Sequence, residues 1–207
     1  MKLKKGYKIG ITAVLLVLLL GVLIYGGFRI YKKFNNNTTE VQVVKEIPEY
    51  GYALKDNASK EYQNLFDDLV DTLGAEEVDD EAYAKLVAQM VTSDFYTISN
   101  KISKTDIGGT QFILSSYKDN FILEAEETVY KYVEHNIYGD REQKLPEVTE
   151  TSVTDIRTST YTYGDYTDDA CYVVTVALTY KEDLGYPTEV VVKMLHQDNK
   201  LEVFYMK

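Results

Sequence analysis

The sequence predicts an α+β fold: one N-terminal transmembrane helix, then three helices packed on a curved four-stranded antiparallel sheet. Three observations predict it. Residues 9–28 form an uncharged apolar run. Between residues 60 and 137, apolar side chains recur in three stripes at helical period. From residue 147 the texture changes to Thr, Val and Tyr with period two. The chain therefore divides into a cytoplasmic N-terminus (1–8), a transmembrane helix (9–30), a tether and docking segment (31–57) and one extracytoplasmic α+β domain (58–207).

Twenty helical residues rise about 30 Å, the thickness of a hydrocarbon core. Lys2, Lys4, Lys5 and Lys8 precede the run, and Arg29, Lys32 and Lys33 follow it. The cationic excess at the front, with the free amino terminus, favours a cytoplasmic N-terminus. The rival is a cleaved signal peptide. Its apolar core would be shorter and would end in a small-x-small site, whereas this run ends in Ile24-Tyr25-Gly26-Gly27-Phe28-Arg29-Ile30. No Cys follows the run closely, so a lipid-modified cysteine is excluded; the single Cys is Cys171. Tyr25, Phe28 and Tyr31 suit an aromatic belt. An uncleaved signal-anchor is the better reading.

Asn35-Asn36-Asn37-Thr38-Thr39 is a polar tether without periodicity. Val41, Val43 and Val44 make a short strand or stay extended, and residues 47–54 bring aromatics onto the core. In the first helix Tyr62, Leu65, Phe66, Leu69, Val70 and Leu73 form one stripe, with Ser59 as N-cap and Gly74 as C-cap. Asp79 and Asp80 open the second, whose stripe runs from Tyr83 through Val87 and Val91 to Phe95 and Ile98. Residues 100–110 break the pattern, with Gly108-Gly109 as a turn. The third helix starts near Ser115 or Ser116, follows Tyr117, Phe121, Ala125, Val129, Val133 and Ile137, and stops at Gly139.

Strands follow at about 147–163, 169–181, 188–197 and 200–206. The second is apolar on both faces, with Val174, Val176 and Leu178 on one and Cys171, Val173 and Ala177 on the other, which marks a central strand. Asp198-Asn199 is a tight-turn pair, and segments 164–169 and 183–187 are the other turns. The apolar phase shifts between Ile156 and Tyr161, which predicts a bulge. Short spacings predict an antiparallel meander.

The formal charge is -11. The first 39 residues carry seven cations and no acid, so residues 40–207 carry -18 (-11 minus 7). Such a domain repels nucleic acid and anionic headgroups, which argues against nucleic-acid binding. One Cys precludes an intrachain disulfide, so the core alone must hold the domain. The 19 Tyr, the missing Trp and the many Lys, Asn and Asp are a composition associated with low-GC Gram-positive bacteria.

With helices then strands behind one N-terminal span, residues 58–206 resemble the nuclear-transport-factor-2-like (cystatin-like cone) fold. The resemblance rests on element order. Membrane-tethered versions of that fold include assembly proteins of conjugation and type IV secretion machines, which implies an envelope-assembly role. The segment Asp94-Phe95-Tyr96-Thr97-Ile98-Ser99-Asn100-Lys101, with Asp106-Ile107-Gly108-Gly109-Thr110, is also similar to uncharacterised Gram-positive surface proteins, which implies no activity. Relative to enzymatic members of the fold, no His-Asp pair inside the cone is identifiable.

Each candidate for chemistry has a plainer reading. Of the two His, His135 is expected near the end of the third helix, where an imidazolium suits the negative dipole end, and His196 just before the Asp198-Asn199 turn. Neither has ligand or triad spacing, so both read as structural. Cys171 reads as a small buried hydrophobe. Asp165, Asp168 and Asp169 share a hairpin loop and read as a solvated turn, with a Ca²⁺ site as the sharper alternative. Gly108-Gly109 lacks the Lys and Ser/Thr of a phosphate loop. Asp67, Asp68 and Asp71 lie on the solvated face of the first helix. Tyr161, Tyr163 and Tyr166 crowd the first hairpin, either as a recognition surface or as strand-forming bulk.

No catalytic set, cofactor motif or metal-ligand set emerges. The expectation is a non-catalytic, single-pass membrane protein whose outward domain binds other envelope proteins or itself. The alternative is a small-molecule binder with a pocket between helices and sheet; an enzyme is the third reading.

Overall fold

The computed structural model describes residues 21, 25–27 and 41–207. The apolar span and the Asn-rich tether fall outside or almost wholly outside them, and among the described residues no helix is long and apolar enough to cross a membrane. Residues 40–136 and 141–207 form one compact unit, and Ile137–Asp140 group separately.

That unit is α+β. Its elements run β1 (Val43–Ile47), β2 (Tyr52–Lys55), α1 (Lys60–Leu73), α2 (Asp80–Tyr96), α3 (Lys118–Glu127), β3 (Val148–Tyr163), β4 (Tyr166–Tyr180), β5 (Glu189–Gln197) and β6 (Lys200–Met206). The last four make an antiparallel meander in the order β3-β4-β5-β6, so β4 is central as its two apolar faces predict. Its register against β3 shifts at three places, one of them between Ser159 and Tyr161, inside the interval where the apolar phase slips. Since β3 is an edge strand with a polar outer face, these bulges and its Thr and Ser side chains also discourage edge-to-edge pairing.

The valines at 41–44 prove to begin a hairpin: β1 pairs with β2 across the Pro48–Gly51 turn. The hairpin delivers Tyr52 to the core at 1% exposure, where its phenol meets that of Tyr83 at 2.6 Å. Ser59 caps α1 by accepting from the Tyr62 amide, and Asp79 caps α2 by accepting from the Ala82 amide. Gly74 ends α1 as expected, but in a right-handed conformation. Asp67, Asp68 and Asp71 are exposed on the outer face of α1.

Helix α2 is the centre of the domain. Its predicted stripe is buried apart from half-buried Leu86, with Ile98 just past the helix end, but so are Ala84, Ala88, Thr92, Ser93 and Tyr96 around the rest of its circumference. It packs on α1 and on all four strands of the meander. Each apolar side chain so buried contributes about 1.5–3 kcal/mol before entropy opposes it.

The third helix corrects the expectation. It starts at Lys118, because Ile113 and Leu114 are bridged to Val203 of β6 just upstream. It ends at Glu127, twelve residues before Gly139. Thr128 leaves helical geometry, and the Tyr130 amide turns back to the Ala125 carbonyl at 2.9 Å. The Tyr130 phenol explains the break. Fully buried, it donates to the Phe95 carbonyl at 2.6 Å and accepts from the Gly108 amide at 3.2 Å. A continued helix would carry that hydroxyl away from both. His135 is therefore eight residues beyond the helix, exposed, with no helix dipole to serve.

Candidate functional site

The structure separates some of the residues that sequence proximity joins. The β3–β4 turn is only Gly164-Asp165, since Tyr163 pairs with Tyr166. Asp168 and Asp169 are therefore in β4, on opposite faces of the strand, and do not form one loop with Asp165. Asp165 and Asp169 are exposed, while Asp168 is 7% exposed and points toward β5. The expected solvated loop is thus corrected for Asp168, because the strand continues through it.

Asp168 instead meets His196. Its Oδ2 accepts from the His196 backbone amide at 2.8 Å and lies 3.0 Å from the imidazole Nδ1. On the other side of the ring, Nε2 lies 3.0 Å from Oδ2 of Asp80, in the first turn of α2. Burial pulls the His196 pKa down, but the hydrogen bonds and charges of Asp168 and Asp80 overcome it and raise the value above the ordinary imidazole range. Burial works against the Asp168 carboxylate, yet the His196 and Ala170 amides and the imidazole hold it below the usual carboxylate range. The result is a clasp joining α2 to the sheet. An imidazolium that donates through both nitrogens keeps no lone pair with which to act as a base. Among the described residues no group of three or more His, Cys, Asp or Glu is placed to share a metal ion. The His–Asp relation was invisible in the sequence because 28 and 116 residues separate the partners.

Cys171 is 2% exposed, on the face of β4 opposite the main core. Burial pushes its thiol up to about 11, with Asp168 adding to the shift and Lys193 opposing it. Val173 and Leu195 are buried with it on that face. Beyond its last bulge the β3–β4 hairpin bends across the sheet, since the ring of Tyr161 stacks 4.1 Å from that of Phe204, on β6. The Tyr161 phenol pairs with that of Tyr117 at 3.1 Å, Tyr163 packs edge-on against Tyr117, and Tyr166 donates to the His196 carbonyl. The predicted tyrosine cluster is therefore part brace and part surface: Tyr163 remains 65% exposed.

Beside this brace runs a groove of about 430 Å³ between α3 and β6, its walls including Ile113, Tyr117, Phe121, Phe204 and Met206. It borders the outer edge of β6. The segment around Ile113 covers that edge at Val203, through the bonds Leu114 N–H to Val203 O and Val203 N–H to Phe112 O. Past Val203, no strand among the described residues pairs with that side. Val191 and Lys207 exchange two backbone hydrogen bonds, and Lys193 sits opposite Tyr205. By antiparallel alternation the Met206 amide therefore faces away from β5, toward the groove. Leu123 on α3 and Tyr205 on β6 are exposed.

The second opening is a small polar cavity of about 90 Å³ where the β2–α1 connection, α1, the end of α2 and the 100–111 loop converge. Asp94 organises it. One carboxylate oxygen accepts from Lys101 Nζ and the other from the Gly109 amide at 2.7 Å. Burial opposes the Asp94 charge, but Lys101, the Gly109 amide and Lys55 hold its pKa below the usual range. Gly108 and Gly109 form the predicted turn, and the turn requires them. A Cβ on Gly108 would lie 2.1 Å from the Asp94 carbonyl oxygen, and Gly109 has φ +75°.

No protein-family model, curated protein or solved structure matches this chain.

Proposed function

We propose that this chain is a single-pass membrane protein, anchored through residues 9–30, whose outward domain is a non-catalytic docking module within an envelope assembly. The observation that carries the reading is the outer edge of β6, which past Val203 lacks a partner strand among the described residues and borders the α3 groove. An edge strand beside a groove is the geometry of strand addition: backbone hydrogen bonds give affinity, and alternate side chains enter the groove, here between apolar walls that also carry Asn120, Glu124 and Lys207. The groove's volume lies within the range of ligand sites, but its open form, lined by consecutive residues 203–207 of the β6 edge, suits an extended segment of another protein. The -18 charge of residues 40–207 favours a basic segment. Helices on one side of an antiparallel meander support the nuclear-transport-factor-2-like resemblance as part of the same proposal.

A photo-crosslinking residue at Tyr205 or Leu123 in the full-length protein, irradiated in intact cells, should give a discrete adduct with another envelope protein. Met206→Pro removes the outward amide together with the Met206 side chain, so Met206→Ala is its control: the adduct should be lost in the proline variant and kept in the alanine one, with both folded by circular dichroism. An irradiated sample with no adduct, or one insensitive to Met206→Pro, would sink the docking reading. Protease added to intact cells should degrade residues 41–207; protection of that region would reverse the assigned orientation.

A further inference from the structure

Nine polar residues line the small cavity at Asp94, and their hydrogen bonds do not all close within the protein. Lys101 is 7% exposed, and of its three ammonium protons one goes to Asp94. Tyr62, also buried, accepts from Gln111 Nε2 at 2.5 Å, and its own proton has no acceptor among the described residues. Asn57 and Asn100 donate their amide protons to each other's backbone carbonyls, at 3.0 and 2.9 Å. That exchange leaves the buried Asn100 Oδ1 without a partner among the described residues. At the mouth, the Lys55 ammonium lies 3.8 Å from Asp106 Oδ1, a loose pair more than half exposed on the lysine side.

The cavity thus presents two kinds of unmet valence. Lys101, Lys55 and Tyr62 have protons to give, while Asp106 Oδ1 has lone pairs to fill; the Asn100 Oδ1 atom is closed off from the cavity. Its ionic lining is balanced, with Lys55 and Lys101 against Asp94 and Asp106. A net anion would meet two carboxylates and a net cation two ammonium groups. A solute that is neutral overall but charged at both ends satisfies all of them. The cavity, at about 90 Å³, has room for a small solute, for which glycine is the simplest probe.

We propose that this cavity is a binding site for a small zwitterion of the α-amino-acid class, its carboxylate held by Lys55 and Lys101 and its ammonium by Asp106. The site is separate from the β6 groove, so it stands or falls independently of the docking reading.

The test is titration of the isotope-labelled full-length protein in detergent with glycine, followed by amide NMR. The amides of Lys101, Ile102 and Gly109 should shift and saturate in the millimolar range. Acetate alone or methylammonium alone, each carrying half of the zwitterion, should not saturate. Lys55→Gln, at an exposed lysine whose loss spares the fold, should weaken glycine by about tenfold, the loss of one charge-assisted hydrogen bond. Asp106→Asn, which keeps an acceptor for the Ile102 amide, should weaken it as well, and the amide spectrum of each variant reports whether it is folded. The absence of a saturable shift in the wild type makes the cavity a water site and overturns the proposal. Saturation equally strong in both variants places glycine elsewhere and overturns it too.

Discussion

Asp168 receives two hydrogen bonds from His196, one from its backbone amide at 2.8 Å and one through the imidazole Nδ1 at 3.0 Å, both at the same carboxylate oxygen. The first ties β4 to β5 irrespective of pH, whereas a neutral ring keeps a single N–H and can donate to only one of Asp168 and Asp80. Because Nε2 reaches Asp80, one titrating side chain controls how firmly the N-terminus of α2 is fastened to the sheet.

The clasp predicts a stability profile with two limbs. The folded pKa of His196 is raised above 6.5, so its contribution is complete below about pH 6.5 and is lost as pH rises through the folded value. The folded pKa of Asp168 is lowered below 3.8, so its contribution is present above that value and is lost as pH falls through the folded one. The groups facing the ring are Asp80, Asp168 and the Tyr172 ring, with Asp79 and Glu81 nearby on α2. An uncharged imidazole thus leaves acids without their counterion. Urea titrations from pH 5 to 9 should show wild-type stability falling relative to His196→Gln by about 1 kcal/mol, a modest figure because the Asp80 side is open to solvent. Parallel curves for the two proteins would refute the clasp.

The pair Asp94–Lys101 predicts strong coupling between two substitutions. Lys101→Met leaves a carboxylate in a buried setting with the Gly109 amide as its remaining short-range donor, and should cost about 3–5 kcal/mol. Asp94→Asn removes the charge but keeps an acceptor for Gly109, so the double variant should be more stable than the sum of the singles predicts by at least ~1 kcal/mol. Chemical denaturation of the four proteins measures this, and strict additivity would show that the ion pair is not a unit.

How much of this was legible depends on the range over which each feature is encoded. The α1 stripe, the Ser59 and Asp79 caps and the four strands are local, and residues a few positions apart determine them. The sequence could not show that α2 is buried nearly all round, because Ala, Ser and Thr at positions 84, 88, 92 and 93 are neutral in a hydrophobic pattern. The third helix was over-extended for a related reason. Val129 and Val133 keep the period, but the hydrogen bonds of Tyr130 to Phe95 and Gly108 decide the chain's path. The hairpin β1–β2 has a short first strand exposed almost throughout, and exposure erases alternation. The clasp and the polar cavity join residues from distant segments, and only the fold brings them together. The Asp94-to-Thr110 segment did stand out, and it supplies half of the cavity wall.

Cys171 offers a direct reading of the outer face of the sheet. A thiol pushed up to about 11 is almost wholly protonated at pH 8, and the thiolate is the reactive form. Burial at 2% also denies a reagent its approach. Both barriers depend on the outer cluster holding the thiol out of solvent, and the stack of Tyr161 on Phe204 shows that the hairpin crosses this face. A disulfide reagent should therefore leave the native protein unmodified over minutes and modify it once, rapidly, in denaturant. Tyr161→Ala removes the ring from Phe204 and the hydroxyl from Tyr117, and should raise the native labelling rate by about tenfold or more at a stability cost of about 1–3 kcal/mol. If Cys171 reacted in the native state as fast as an exposed thiol, the hairpin would not cover this face, and the brace beside the β6 groove would lose its support.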